Sequence, residues 1–266
     1  MPDNALAALI DDFTAERKVL ETVIRGAAPE VWDRSSPAEG WTFRDCVAHL
    51  ADHDDNATAI VTSTERVRRL PSSGVERDGV LAAGQLWARE QPASEIADWY
   101  VAAGVRLVDA MRKAEPDTRL TWAGRPMSAR SFLTARLMEH WSHGLDIHDA
   151  AGLTPVDTDR LRHVAHLGYM TRDFAFRNRG LPVPETALYV ELTAPSGETW
   201  TWGPADAPDQ IRGTAGDFCR VVCQRIHWSD TSLVATGPTA YEFLAIAQAF
   251  AGPSGSGRPP RMTQTV

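Results

Sequence analysis

Glu139-His-Trp-Ser-His143 sets a carboxylate and an imidazole four residues apart. On a helix such residues share one side, with Cβ atoms roughly 5–6 Å apart. They can therefore offer an oxygen and a nitrogen to one cation at about 2.0–2.2 Å each. Phe132 and Arg136 fall on the same stripe, which must then look inward, where a carboxylate is costly unless paired or ligated. A further ligand has to come from another helix, and the segment around Val47–Val61 carries His49 and His53, one turn apart. Three protein ligands leave a coordination position open, the arrangement of catalytic zinc, whereas four close it. The competing reading of an i, i+4 Glu–His pair is a pair of solvated or hydrogen-bonded side chains. His140 and His148 fall off the Glu139 face and read as surface or packing residues, and His163 and His166 read as ordinary members of an amphipathic helix.

Other chemistries lack their residues. No H-E-x-x-H is present, which removes the metalloprotease pattern, and no G-x-G-x-x-G or G-x-x-x-x-G-K-[ST] supports a nucleotide site. Ser128, Ser131 and Ser142 stand outside any G-x-S-x-G elbow. A net charge of −8 argues against nucleic acid and against attraction to anionic lipid. No apolar run approaches the roughly 18 residues of a membrane span. Met-Pro-Asp-Asn does not open a signal peptide. Cys46, Cys219 and Cys223 cannot all pair and form no C-x-x-C, which fits a reducing cytoplasm.

The elements that must position Glu139, His143 and the second-helix histidines are helices. Leu6, Leu9, Ile10, Phe13, Leu20, Val23 and Ile24 recur at three- and four-residue spacing. After a loop through Gly40, Thr42-Phe-Arg-Asp45 predicts a capping-box start, with Trp41 stapled onto Cys46 and the helix ending near Pro71. A short helix is expected around Val80–Glu90 and a long one from Ser94 to Lys113. Glu115–Met127 reads as a loop, and Ser128 caps a helix running through Ala150. The fold class is thus an α-helical up-and-down four-helix bundle over residues 1–152, followed by a smaller α+β domain over 153–252. In the latter, a helix over Thr158–Arg179 precedes a hairpin of Leu188–Thr193 with Thr199–Trp202. Gln210–Thr214 is a possible third strand, a helix runs from Thr214 through Arg225, Leu233–Thr236 is a strand, and Pro238–Phe250 is a final helix. Residues 253–266 read as a disordered tail.

Gly40-Trp-Thr-Phe-Arg-Asp-Cys-Val-Ala-His49-Leu, with Met138-Glu-His-Trp-Ser-His143-Gly-Leu-Asp146-Ile about 90 residues later, resembles the mycothiol-dependent maleylpyruvate isomerase family, part of the DinB-like group of metal-binding bundles. The resemblance implies a divalent metal, zinc in that family, held by His49, Glu139 and His143. Val190-Glu-Leu-Thr, Gly213-Thr-Ala-Gly-Asp217 and Val234-Ala-Thr-Gly237 resemble the family's second domain, related to sterol-carrier proteins. Arg162-His-Val-Ala-His-Leu-Gly and Thr171-Arg-Asp-Phe-Ala-Phe176 look like an actinobacterial subgroup described only as metal-binding. A family arginine implicated in holding substrate has its nearest counterpart in Arg225, with Arg220 as competitor.

The expected function is a thiol-dependent isomerase or S-transferase, with mycothiol as cosubstrate, a small electrophile as substrate, and a monomer or homodimer as the working unit. A metal-bound thiol is deprotonated outright, and the thiolate is the nucleophile. The alternatives are a hydrolase using metal-bound water, with His53 or Asp54 as base, and a non-catalytic metal- or ligand-binding protein.

Overall fold

The computed structural model describes residues 4–63, 81–115, 118–122 and 125–261. The chain divides into two compact units, Met1–Pro155 and Val156–Val266.

The first unit is built on four long helices: α1 (Asn4–Gly26), α2 (Phe43–Thr62), α4 (Ala93–Lys113) and α5 (Ala129–Ala151), with the short α3 (Ala83–Arg89) between the second and third. α1 packs chiefly on α4 and α5, and α2 chiefly on the same two, so α1 and α2 lie across the diagonal of the bundle. Phe13, Leu20, Phe43, Leu50, Ile96 and Phe132 fill its core. α2 begins where the sequence predicts. The Thr42 hydroxyl accepts from the Asp45 amide at 3.3 Å, and the Asp45 carboxylate accepts from the Thr42 amide at 2.8 Å. α2 runs to Thr62, with Ser63 in the left-handed region at φ 53°. Thr58 and Thr62 turn their hydroxyls back onto the carbonyls of Asp54 and Thr58, a bond that competes with helix continuation. Residues 64–80, which include the expected endpoint, lie outside the described residues.

The segment read as a loop over Glu115–Met127 instead holds an antiparallel hairpin, β1 (Arg119–Trp122) with β2 (Arg125–Ser128), registered from Arg119 opposite Ser128 to Trp122 opposite Arg125. Leu120 is its buried anchor. Two strands of four residues, one containing Pro126, are too short for alternation to announce them.

The bundle also buries charge. Asp54 on α2 is fully enclosed and accepts from Arg17 of α1 (Nε to Oδ2, 3.1 Å) and from Arg136 of α5 (Nη2 to Oδ1, 3.0 Å). The Nε2 of His140, also on α5, lies 3.1 Å from both Asp54 oxygens. On α4, Tyr100 places its hydroxyl 3.3 Å from His140 Nδ1, and its carbonyl accepts from the Arg17 guanidinium. His140 and Arg136 are thus packing residues of a polar core. Gly104 on α4 makes room for Arg17: a Cβ there would stand 1.6 Å from the Arg17 guanidinium carbon. Gly104→Ala is therefore expected to evict Arg17 and destabilise the fold by about 3 kcal/mol, read as a lower urea midpoint. An unchanged midpoint would mean that Arg17 has another place to go.

The second unit carries a four-stranded sheet in the order β4 (Thr199–Trp202), β3 (Leu188–Thr193), β5 (Asp209–Thr214), β6 (Val234–Thr236). β3 and β5 are parallel and the outer pairings antiparallel. The helix expected over Thr158–Arg179 is two, α6 (Leu161–Met170) and α7 (Arg172–Asn178). Thr171 breaks it by donating its hydroxyl back to Leu167 and Gly168. α8 (Ala215–Val222) ends before Arg225, because Gln224 adopts φ 55° and the Arg225 amide closes onto the Arg220 carbonyl at 2.8 Å. α9 (Pro238–Ile246) stops short of Phe250: the Ala247 carbonyl accepts from Gln224 and the Ala249 amide donates to Val222. Between Pro253 and Arg261 the chain makes bonds back to the rest of the unit. The Gly255 carbonyl accepts from Arg179, the Pro253 carbonyl from Gln248, and the Arg261 amide donates to Asp230. Among the described residues no helix is long and apolar enough to cross a membrane.

Candidate metal centre

The Thr42 cap sets the phase of α2 and turns His49 inward two turns later. On α5, whose Ser128 hydroxyl accepts from the Ser131 amide at 3.1 Å, Glu139 and His143 meet it. One ligand atom from each of these three lies within 4.8 Å of the other two. Glu139 Oε2 is the shared vertex, 3.5 Å from His49 Nε2 and 3.6 Å from His143 Nε2. Those separations are long for N–H···O hydrogen bonds, which cluster at about 2.7–3.2 Å. They are close to the roughly 3.3 Å edge of a tetrahedron whose ligands stand about 2.0–2.1 Å from a central zinc. Two neutral-capable imidazoles and one carboxylate are also the donor types that zinc takes. The residues fit the cation.

Burial alone would raise the Glu139 carboxyl, but the contact with His49 and the neighbouring His143 and Arg136 outweigh it. They hold Glu139 below the ordinary carboxylate range. It stands ready as the anion a metal requires. The side chains are 3% exposed for His49, 12% for His143 and 22% for Glu139, so the cluster opens to solvent on the Glu139 side.

Trp41 and Asp146 belong to the site as well, and neither was singled out for it from the sequence. Trp41, expected to staple onto Cys46, stacks on His143 at 5.3 Å between ring centroids, 18° from parallel, and lies 4.9 Å from the His49 ring. Asp146, one turn beyond His143, places Oδ2 3.1 Å from His143 Nδ1. Its i, i+3 spacing from a ligand was the available signal. His53 lies beside His49, rings 4.1 Å apart, but outside the trio that gathers ligand atoms. Cys46, His143 and Asp146 form a second close group around the far nitrogen of His143.

One other expectation changes. Asp54 is unsuited to serve as a general base: it is fully buried, and although burial works to raise its carboxyl, His140, Arg136 and Arg17 hold it well below the usual carboxylate range. His148 is buried, its Nδ1 2.7 Å from the Gly144 carbonyl oxygen. Arg225 lies in the second unit, half-buried, and donates to the Cys223 carbonyl at 2.9 Å; its competitor Arg220 is engaged with Asp157 at 2.6 Å.

Residues 13–148 match the family model described as the mycothiol maleylpyruvate isomerase N-terminal domain. Residues 184–236 match a model described as wyosine base formation. Two uncharacterized proteins from two strains of Mycobacterium tuberculosis are each 41% identical over 252 residues, covering 94% of this chain and 97% of theirs. Among solved structures, the mycothiol-dependent maleylpyruvate isomerase superposes with a TM-score of 0.57 at 18% identity, and its histidine-to-alanine mutant with 0.58 at 16%. Each comparison covers 86% of this chain and 92% of the other.

Proposed function

Because the chain belongs to the mycothiol maleylpyruvate isomerase family, we propose that it is a metal-dependent enzyme using a low-molecular-weight thiol, mycothiol, to isomerise or S-conjugate a small electrophile. The observation that carries this reading is the triangle of His49, Glu139 and His143, with edges of 3.5 and 3.6 Å at Glu139 and one side open to solvent.

A divalent cation bound there, zinc by the donor set, would hold a thiol as its thiolate at neutral pH. The chain's own residues do the rest. His49 and His143 present nitrogens fixed by helix position, and Glu139 brings the one negative charge of the trio. Trp41 covers both imidazole rings and keeps water off that side. The partly exposed edge at Glu139 is where a thiol enters. Arg225, whose guanidinium donates to the Cys223 carbonyl, is proposed to steady an anionic group of the substrate.

A hydrolytic role has less support, since Asp54 is locked in the ion cluster and His53 is left as the candidate base beside the ligands. The test is to hold the zinc-loaded protein with mycothiol and a panel of small electrophiles, following both thiol and electrophile. Thiol-dependent turnover is expected, and Arg225→Ala should raise KM for a carboxylate-bearing electrophile. Turnover of an ester with no thiol present would replace the reading with hydrolysis. Zinc binding with no turnover of any kind would replace it with a binding role.

A further inference from the structure

His143 has two nitrogens and uses them on two different partners. Nε2 faces Glu139 Oε2 at 3.6 Å, within the ligand triangle, while Nδ1 faces Asp146 Oδ2 at 3.1 Å. Only the second distance is that of a hydrogen bond. Asp146 is 1% exposed, and burying a carboxylate is costly unless something donates to it. An ionised carboxylate only accepts, so the hydrogen between the two groups sits on His143 Nδ1. A neutral imidazole carrying its proton on Nδ1 leaves Nε2 with a lone pair, aimed where His49 and Glu139 converge.

We propose that Asp146 is a positioning residue for the metal centre, holding His143 in the Nδ1–H tautomer and in the ring orientation that presents Nε2 to the cation. The inference rests on the metal reading given above and adds to it the group that selects the ligand atom. Three constraints then fix one ring: the helix carries its Cα, Trp41 stacks on its face, and Asp146 anchors its far edge. Asp146 sits at i+3 from His143 on the same helix, so the anchor needs no distant element. Cys46, fully buried beside His143 and Asp146, closes the pocket behind the imidazole. Outer-sphere carboxylates of this kind strengthen a metal–imidazole bond, and their loss weakens affinity by about 10–100-fold.

The experiment uses the full chain with Asp146→Ala and Asp146→Asn and reads two quantities. Zinc affinity is measured by competition with a chelating indicator. The His143 tautomer is read from long-range proton–nitrogen NMR on metal-free protein, near pH 8, where an ordinary imidazole is about 97% neutral. The wild type is expected to show Nδ1–H. In Asp146→Ala the Nε2–H form should become the major one, with zinc affinity weakened by about 10–100-fold. Asp146→Asn keeps the shape and an accepting oxygen, so it should fold as the wild type does and fall between the two. Were the alanine variant to misfold, the asparagine variant alone would decide. An unchanged tautomer with zinc affinity within about twofold of wild type would overturn the proposal. So would two zinc equivalents in the wild type with only one lost on substitution, since Asp146 would then be a ligand of a separate site with Cys46. Absence of zinc binding in the wild type would instead strike the parent reading, while the metal-free tautomer would still report on Asp146.

Discussion

His143→Ala is expected to leave the purified protein essentially without metal. On the proposed reading His143 supplies one of three ligand atoms, and nothing else in the trio can replace it, because His49 and Glu139 already face the same point. A complete zinc site is worth about 10–16 kcal/mol near neutral pH, so losing a third of the donors should weaken binding by several kcal/mol, on the order of 10²–10⁴-fold. His49→Ala should behave alike, removing the only ligand that α2 contributes. His53→Ala should retain metal, since His53 lies beside the trio and not within it. His148→Ala is the control from the same helix as His143: its ring is spoken for by the Gly144 carbonyl. Elemental analysis after passage over a chelating resin reads all four. Equal metal in His143→Ala and His148→Ala would refute the ligand set. Loss in both His49→Ala and His53→Ala would make the site a closed, four-ligand one, poor at admitting a thiol.

Asp54→Ala should produce the largest loss of stability, about 3–5 kcal/mol, because it strands Arg17 and Arg136 in the core with no counter-charge. The urea midpoint at neutral pH reads it, and a loss below about 1 kcal/mol would mean that water reaches the arginines. The same cluster sets the acid limb of the wild type. The folded-state carboxyl of Asp54 lies below its unfolded value, so its contribution is present above about pH 4 and disappears only as pH falls through that lower folded value. His140 adds a loss of the same sign at milder pH. Burial drives it down to about 4, so the unfolded chain takes up a proton near pH 6.5 that the folded chain refuses. Stability should therefore decline between about pH 6.5 and 4 by up to about 3 kcal/mol, and the decline should shrink in His140→Gln. A flat profile would show that His140 is already charged against Asp54 in the folded protein.

What was legible in the sequence was local. Thr42 and Asp45 announce the start of α2 three residues apart, Ser128 announces α5, and Glu139 and His143 share a face by spacing alone. His49 needed the family resemblance, because spacing left it level with His53. What was not legible depends on partners far along the chain. Asp54 meets Arg17 across 37 residues, Arg136 across 82 and His140 across 86. No periodicity marks four polar groups as mutual partners, and on sequence His140 read as a surface or packing residue. The β1–β2 hairpin was missed because four-residue strands offer too little alternation. The break at Thr171 and the short α9 were missed for another reason: side-chain and cross-element bonds outcompeted the helix where the apolar pattern continued.

The node at Asp54 draws one group or more from each of the four long helices: Arg17 from α1, Asp54 from α2, Tyr100 from α4, and Arg136 with His140 from α5. Asp54 follows His49 by five residues, and Arg136 and His140 bracket Glu139. The node is thus a dowel pinning the axial slide of α2 along α5 within a turn of the triangle. A slip of one residue is about 1.5 Å along a helix, enough to pull His49 Nε2 off a 3.5 Å edge. Tolerances at the centre are then inherited from residues that never touch it. Variation at Arg17 or Gly104, on two helices that carry none of the proposed ligands, becomes variation in how well the two helices that bear the trio hold its geometry.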